Sequence, residues 1–407
     1  MPTQISVTSY YYRRGGAEAV MLDQNALLES CGWKIVPFAM EYEKNFDTDY
    51  DEYFVEEIDF ASDYTPAEKV RKVVKSVYSL EARREIGRLI DDARPDIVHS
   101  HNVYHHITPA IFGAIKKKGV PNVMTVHDLK IGCPSKLMLA ADGVCERCKG
   151  GKTWNAVQQR CLKGSLPLSA VAALETTLHN ALGSYRKNVD RFILPSHFHT
   201  NKLIDWGLPK EKTRYLPNAV DVTEMVPDFT AGERFVFVGR VSEEKGLITF
   251  VNAVAKAGVA ATIVGTGPQE DELKALVERT GANVEFAGYQ TGDALFDIIR
   301  SAKVLVLPSE CYENAPVVIL EAYGLGTPVL GSELGGIPEL IVPGETGLVA
   351  EAGNADSFAD QLTAMQDMNA AELEAMGRAG RAFVESRFTR EQYLEGLLDI
   401  YRELGAA

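Results

Sequence analysis

The stretch "RFVFVGRVSEEKGLITFVNAVAKAG", residues Arg234 to Gly258, decides the fold. Four apolar residues in succession, Phe235 to Val238, stop at Gly239, and apolar residues return at helical spacing from Leu247 to Ala257. A strand that turns through a glycine loop into a helix is the repeating unit of a parallel sheet, whose neighbouring strands need a crossover.

Working outward, the unit recurs. "ATIVGTGPQEDELKALVERTG" (261–281) repeats strand, loop and helix, and "NVEFAGY", "KVLVLPS", "TPVLGS" and "TGLVA" read as further strands. Upstream, "QISVTSYYYRRGGAEAVMLDQNALLESCG" (4–32) predicts a strand, a glycine loop and a helix from about Ala17. "DIVHSH" (96–101) and "VMTVHD" (123–128) read as buried strands ending in polar residues, and "RFILPS" (191–196) as the last strand of the first half. A Pro-Asn break in "RYLPNAVD" (214–221) marks a hinge. "SFADQLTAMQDM", "AELEAMGRAGRAFVES" and "REQYLEGLLDIYREL" close the chain as helices. The fold class predicted is α/β, with two Rossmann-like, doubly wound domains over residues 1–216 and 217–387 and a terminal helical segment, 388–407. Ligands of such sheets sit at the carboxyl ends of the strands, so a cleft between the halves is the expected site.

Bulk properties exclude several classes. With 407 residues, 46% of them hydrophobic and 24% charged, the chain has material for two cores. A net charge of −14 speaks against nucleic acid, which requires a basic footprint. No window approaches the ~18 uncharged apolar residues of a membrane span, and the N-terminus lacks a signal-peptide core, so a cytoplasmic protein with reduced cysteines is expected. Residues 41–63 hold ten acids against one lysine, whereas 69–88 hold seven Lys/Arg against two glutamates. Val70, Val73, Val74, Val77 and Leu80 recur at helical spacing in the basic segment. This stripe is read as core-facing with a solvated basic face; docking on the anionic face of a membrane is the second reading.

Arg240 and Lys245 lie between a strand and a helix, where two cations, free amides and the glycine Gly239 make an anion site. Gly15 and Gly16 hold the equivalent place in the first half. "VGTGPQEDEL" has Gly265 but no third glycine, since position 270 is Glu, so it reads as the lining of a nucleotide pocket rather than a dinucleotide fingerprint. Tyr289, after Gly288, is placed to face a base. His127 ends a strand beside Asp128, which would steer the imidazole toward a sugar hydroxyl or phosphate; His99 and His101 share a face of their own strand. Cys133, Cys145, Cys148 and Cys161, within an excursion spanning 133–161, have spacings that fit a structural zinc site, while Cys31 and Cys311 read as packing residues.

In "SECYENAPVVILEAYG" (309–324), Glu313 and Glu321 are separated by seven residues. Pro308 ends the preceding strand and Pro316 suits the first turn of a helix, which puts Glu313 in a loop and Glu321 on that helix. Asn314, Ala315 and Pro316 between them form a phosphate-binding turn at the helix N-terminus. A diphosphate with a hydroxyl-rich group on either side, a nucleotide-sugar, matches that layout.

Together, the spaced glutamates, "GRVSEEKGL", the "GGAE" loop and the histidine of "TVHD" resemble the retaining glycosyltransferases of family four, over nearly the whole chain. The resemblance implies the two-domain GT-B architecture, a UDP- or GDP-sugar donor, retained anomeric configuration and no catalytic metal. It implies that Arg240 and Lys245 neutralise the donor diphosphate, Glu313 holds sugar hydroxyls, Glu321 the ribose, His127 the sugar or diphosphate, and that Gly16 lies beside the phosphates. It also implies that the acceptor, a glycan, a lipid-linked saccharide or a small molecule, meets the first half, that the terminal helix braces that half, and that the product belongs to surface polysaccharide or glycolipid assembly. The first acid of the family is commonly followed by glycine, where this chain has Asn314. Two other classes are weighed: a nucleotide-sugar epimerase or hydrolase on the same fold, which would need no acceptor, and a binding protein without catalysis, against which the retained Arg240, Lys245, Glu313, Glu321 and His127 speak.

Overall fold

Short runs of wholly buried β-branched and apolar residues, such as Val304–Leu307, form central strands because both faces of a parallel sheet are covered by helices. The computed structural model describes residues 1–59 and 65–406; the end of the acidic stretch, residues 60–63, lies outside them, as does residue 407. The chain forms two compact units: Met1–Ala140, Glu146–Leu216 and Leu394–Ala407 in one, Ala141–Cys145 and Pro217–Tyr393 in the other.

Numbering the strands of the two main sheets in chain order, the first unit contains β1 (Thr3–Val7), β2 (Lys34–Phe38), β3 (Ile97–Ser100), β4 (Asn122–Thr125), β5 (Arg191–Leu194) and β6 (Thr213–Tyr215). They lie in the order β2-β1-β3-β4-β5-β6, all parallel, with Ile5 opposite both Val36 and Val98. The second unit contains β7 (Arg234–Val238), β8 (Ala260–Val264), β9 (Asn283–Gly288), β10 (Val304–Leu307), β11 (Val329–Ser332) and β12 (Gly347–Ala350), in the order β9-β8-β7-β10-β11-β12, again all parallel. In both sheets the order reverses beside the first strand, and such a switch point opens a ligand crevice at the strands' carboxyl ends. The second unit's core runs through Phe235, Phe237, Phe250, Ile263, Leu305, Tyr323 and Phe358, all fully buried.

The last helix, Arg390–Arg402, reaches the first sheet: Tyr401 is fully buried and donates to Gln4 Oε1 of β1 at 2.5 Å. Glu403, just beyond, pairs with Arg214 of β6 at 2.7 Å.

Two local readings differ from the structure. Arg214 and Tyr215, read as the start of the hinge, belong with Thr213 to the sixth strand of the first sheet, so Arg191–Leu194 is not the last strand of that half. The basic segment is two helices, Pro66–Val77 and Leu80–Ala93, because Ser79 leaves helical geometry and its hydroxyl caps the second, accepting from the Ala82 amide at 3.0 Å. Its apolar stripe is not core-facing throughout: Val77 is buried, but Val70, Val74 and Leu80 are 64%, 61% and 70% exposed. Lys72 and Lys75 turn inward instead and pair with Glu56 at 2.7 and 3.0 Å, which holds its carboxyl down at about 2.

Candidate active site

In the second unit the loops after β7, β8 and β10 pack backbone to backbone. A Cβ on Gly265 would lie 1.9 Å from the Gly239 carbonyl oxygen, and one on Gly246, at φ +68°, would lie 2.0 Å from that of Pro308. Only glycine permits both approaches, and the second, with the Glu310 amide donating to the Glu244 carbonyl at 2.9 Å, brings the Arg240–Lys245 loop against the Glu313 loop. Arg240 is exposed at the turn after β7. Lys245 closes a short 3-10 turn, Glu243–Lys245, just before the helix Leu247–Ala257.

The Lys245 ammonium donates to Glu313 Oε1 at 2.5 Å, and the Ser309 hydroxyl donates to the same oxygen at 2.8 Å. Burial alone would lower the Lys245 pKa, but the Glu313 carboxylate outweighs it and the net shift is upward, so the lysine stays charged. Burial, with the Glu313 charge second, pushes the Cys311 thiol up to about 12 and keeps it an inert packing group, as its sequence context suggests.

The backbone of the Glu313 loop is held from two sides. The Gly336 amide donates to the Glu313 carbonyl at 2.8 Å, and the Asn218 side chain donates to the Ala315 carbonyl at 2.9 Å. Gly335, at φ +66°, leaves a gap where a Cβ would sit 2.7 Å from the Glu313 carbonyl oxygen. Pro316 is the residue before the first turn of the helix Val317–Gly324 rather than part of it. Glu321 follows on that helix, half-buried, while Glu313 stays in the loop. The first amides of any helix lack intrahelical acceptors, so this turn presents donors beside Lys245. Tyr289 is 68% exposed just past Gly288, leaving its ring face open.

Ser309, Asn218, Gly335 and Gly336 were not among the residues singled out in the sequence. The glycine pair in "LGGIPE" carries a signal for close backbone approach; Ser309 and Asn218 carry none, since their partners are fixed only by folding.

In the first unit His127 lies just past β4. Its Nε2 is 2.9 Å from His101 Nδ1, and His101 stacks in turn on His99 with ring centroids 4.6 Å apart. The expected partner, Asp128, is occupied otherwise: its Oδ1 accepts from the Lys130 amide at 2.9 Å. Desolvation is the main cause that lowers all three histidines, His99 to about 3 and His127 to about 4, so each is a neutral imidazole near pH 7. His99 is a satisfied core residue, 2.6 Å from the Tyr401 hydroxyl and 2.8 Å from Thr125 Oγ1. Gly15 caps the helix Gly16–Ser30, and a Cβ on Gly16 would meet nothing within 4 Å. Local packing therefore leaves open space at that helix N-terminus.

The structure does not show the expected zinc cluster. Among the described residues no three His, Cys, Asp or Glu side chains are placed to share a metal ion, and no cysteine forms a disulfide. Cys133 is buried with its sulfur 3.3 Å from the Ser135 hydroxyl, and the sequence spacing of Cys145, Cys148 and Cys161 does not translate into a tetrahedral cluster.

Known proteins share this fold. Residues 14–224, more than half of the chain, match the model of Glycosyltransferase Family 4, and residues 232–367 match that of Glycosyl transferases group 1. A putative colanic acid biosynthesis glycosyltransferase of Escherichia coli is 28% identical over 212 residues, 48% of this chain and 52% of that protein. The structure of a sucrose-phosphate synthase from Thermosynechococcus elongatus superimposes with a TM-score of 0.74 over all of both chains at 19% identity. That of HepE from Anabaena, solved in complex with UDP-glucose, gives 0.68 over all of both chains at 16% identity. These likenesses establish the GT-B fold, and the family match goes further: the chain is a glycosyltransferase and belongs to family four.

Proposed function

We propose that the enzyme transfers a hexosyl group, with retention of anomeric configuration, from a UDP- or GDP-sugar to a saccharide, lipid-linked or small-molecule acceptor in polysaccharide or glycolipid assembly. The observation that carries this reading is the Lys245–Glu313 pair, 2.5 Å apart, on the loop that also carries exposed Arg240 and on the one that leads into the Val317–Gly324 helix. Residues 217–387 act as the donor half and 1–216 as the acceptor half, with the terminal segment 388–407 bracing the latter. The two cations and helix amides neutralise the diphosphate as it leaves, a fixed electrostatic stabilisation that needs no catalytic metal. Glu313 and Glu321 hold hydroxyls of the sugar and ribose, Tyr289 stacks on the base, and Gly16 admits the phosphates. His127, neutral and tethered to His101, donates or accepts one hydrogen bond to the sugar or diphosphate. The anomeric carbon–oxygen bond to the diphosphate breaks as the acceptor oxygen bonds to the same face, and the acceptor proton passes to a diphosphate oxygen.

Exposed Val70 and Val74 on a helix with Lys69 and Arg71 support peripheral contact with an anionic membrane face. Sedimentation with anionic vesicles that V70D/V74D abolishes would bear this out; no sedimentation contradicts it. No helix among the described residues is long and apolar enough to cross a membrane.

The test of the main reading is a panel of nucleotide-sugars offered with and without saccharide acceptors, followed by NMR of the product's anomeric proton. Acceptor-dependent turnover with retained configuration is expected. Inversion removes the mechanism, and turnover indifferent to any acceptor favours the hydrolase or epimerase alternative.

A further inference from the structure

Beyond the carboxyl ends of β1 and β2, three tyrosine rings cluster and a Tyr11–Phe46 pair accompanies them. Tyr12 and Tyr42 stack at 5.5 Å with 14° between their planes, and Tyr10 meets both edge-on, at 5.9 and 5.1 Å. Tyr11 meets Phe46 edge-on at 5.8 Å, and Phe46 is 51% exposed. His106, beyond β3, packs edge-on against Tyr10 at 5.6 Å, and its Nδ1 is buried without a hydrogen-bond partner. Tyr10, Tyr12 and Tyr42 are all only half-buried. Rings gathered to complete a core would be covered; these remain at the edge of the sheet where ligands enter.

The charges around the rings restrict what they would accept. Arg14 lies flat over Tyr10, its guanidinium carbon 3.9 Å from the ring centroid, and faces Glu57. Arg13 pairs with Asp23. Burial, then the neighbouring Asp59 and Glu43, raises the Glu57 pKa, which marks a crowd of carboxylates on this side. Tyr42 itself sits between Glu41 and Glu43, both exposed. Both arginines are engaged and the rim is acidic, so a carboxylate or phosphate here would meet repulsion.

We propose that Tyr12 and Tyr42, held edge-on by Tyr10, form a stacking platform for an uncharged pyranose ring of the acceptor. The inference rests on the glycosyltransferase reading above and narrows its acceptor to a neutral saccharide end. The apolar C–H face of the sugar covers the outer faces of Tyr12 and Tyr42, while their phenol hydroxyls meet its hydroxyls. Tyrosine suits this role because it offers a rigid apolar face and a polar tip for little conformational entropy.

The experiment titrates the full chain, without donor, with methyl glycosides of glucose, galactose and mannose and with maltose, against methyl glucuronide and glucose 6-phosphate, by saturation-transfer NMR. At least one neutral sugar is expected to bind more tightly than its charged counterpart. Y12A and Y42A should weaken that binding about three- to tenfold, the scale of one lost aromatic contact, and Y12F should restore it. Far-ultraviolet circular dichroism and the melting temperature identify a variant that has simply failed to fold, in which case Y12F against Y12L decides the role of the ring. Tighter binding of the charged sugars, no binding by any neutral sugar, or folded alanine variants that bind like wild type would each overturn the platform. UDP and GDP titrated into wild type and K245A, in parallel, test the donor reading separately: its failure leaves the saccharide result standing, and the converse holds.

Discussion

Lys245 and Glu313 are joined 2.5 Å apart across 68 residues of sequence. The contact exists because two loops at the carboxyl ends of adjacent strands, β7 and β10, are pressed together at Gly246, which no other residue could replace. Removing the ammonium takes away the charge placed for the leaving diphosphate and one donor to Glu313 Oε1, to which the Ser309 hydroxyl still donates. K245A should therefore stay folded and lose transfer rate by about 10²–10³-fold, the scale of one lost preorganised donor. Steady-state kinetics with the donor found in the panel, together with circular dichroism, check this; a loss of less than fivefold would remove Lys245 from the site.

The brace behind Glu313 predicts a different phenotype. A methyl group on Gly335 would sit 2.7 Å from the Glu313 carbonyl oxygen, at a φ of +66° that side chains rarely adopt. G335A should lower unfolding stability by about 2 kcal/mol and reduce kcat through a displaced loop, although residue 335 touches no substrate. Urea unfolding and kinetics on the same preparation separate the two effects. An unchanged midpoint and rate would show that the loop accommodates the methyl group.

The buried imidazoles make stability depend on pH. His99 and His127 titrate at about 3 and about 4 in the folded chain, below the usual ~6.5 of an unfolded histidine. Between those values the unfolded chain binds protons that the folded chain refuses, so stability is complete above pH ~6.5 and falls as pH drops toward the folded values. The slope reaches at most about 1.4 kcal/mol per pH unit for each such histidine. The depressed carboxyls, Glu56 and Glu175, both at about 2, release their share only below the ordinary carboxylate range near ~4.5. Urea midpoints at pH 7, 6 and 5 therefore isolate the histidines. A flat profile from 7 to 5 would mean the rings are solvated.

Tyr401 ties the end of the chain to its first sheet. Its hydroxyl donates to Gln4 Oε1 at 2.5 Å and lies 2.6 Å from His99 Nδ1, all within a buried site. Y401F takes that donor from Gln4 Oε1 and leaves Gln24 Nε2, 3.1 Å away, beside His99 Nδ1, and should lower stability by about 1–3 kcal/mol, with little change in kcat. Chemical unfolding measures it; a variant as stable as wild type would show that Gln4 and His99 satisfy one another by other means.

Much of this architecture is legible along the chain, because strand, glycine loop and helix are local signals. "RFVFVGRVSEEKGLITFVNAVAKAG" becomes β7, the 3-10 turn and the helix Leu247–Ala257 almost as written. Glu313 and Glu321 separate into loop and helix for the reason Pro316 gives. What the sequence hides is long-range. The His101–His127 contact spans two strands, and adjacency in sequence pointed to Asp128 instead. Helical periodicity in 69–88 identifies an apolar stripe but not what covers it, and Val70 and Val74 stay exposed. Cysteine spacing suggested a metal knuckle, yet spacing does not bring thiols to a common point. Ser309, Asn218 and Gly336 matter only through partners that folding supplies.

The most direct test of the central claim is a crystal structure of the enzyme with its nucleotide-sugar bound. The account predicts the diphosphate within hydrogen-bond reach of Lys245 and Arg240 and at the first amides of the Val317–Gly324 helix, with Glu313 on the sugar and Glu321 on the ribose. A nucleotide seated elsewhere, or a diphosphate that leaves Lys245 and Arg240 untouched, would contradict it.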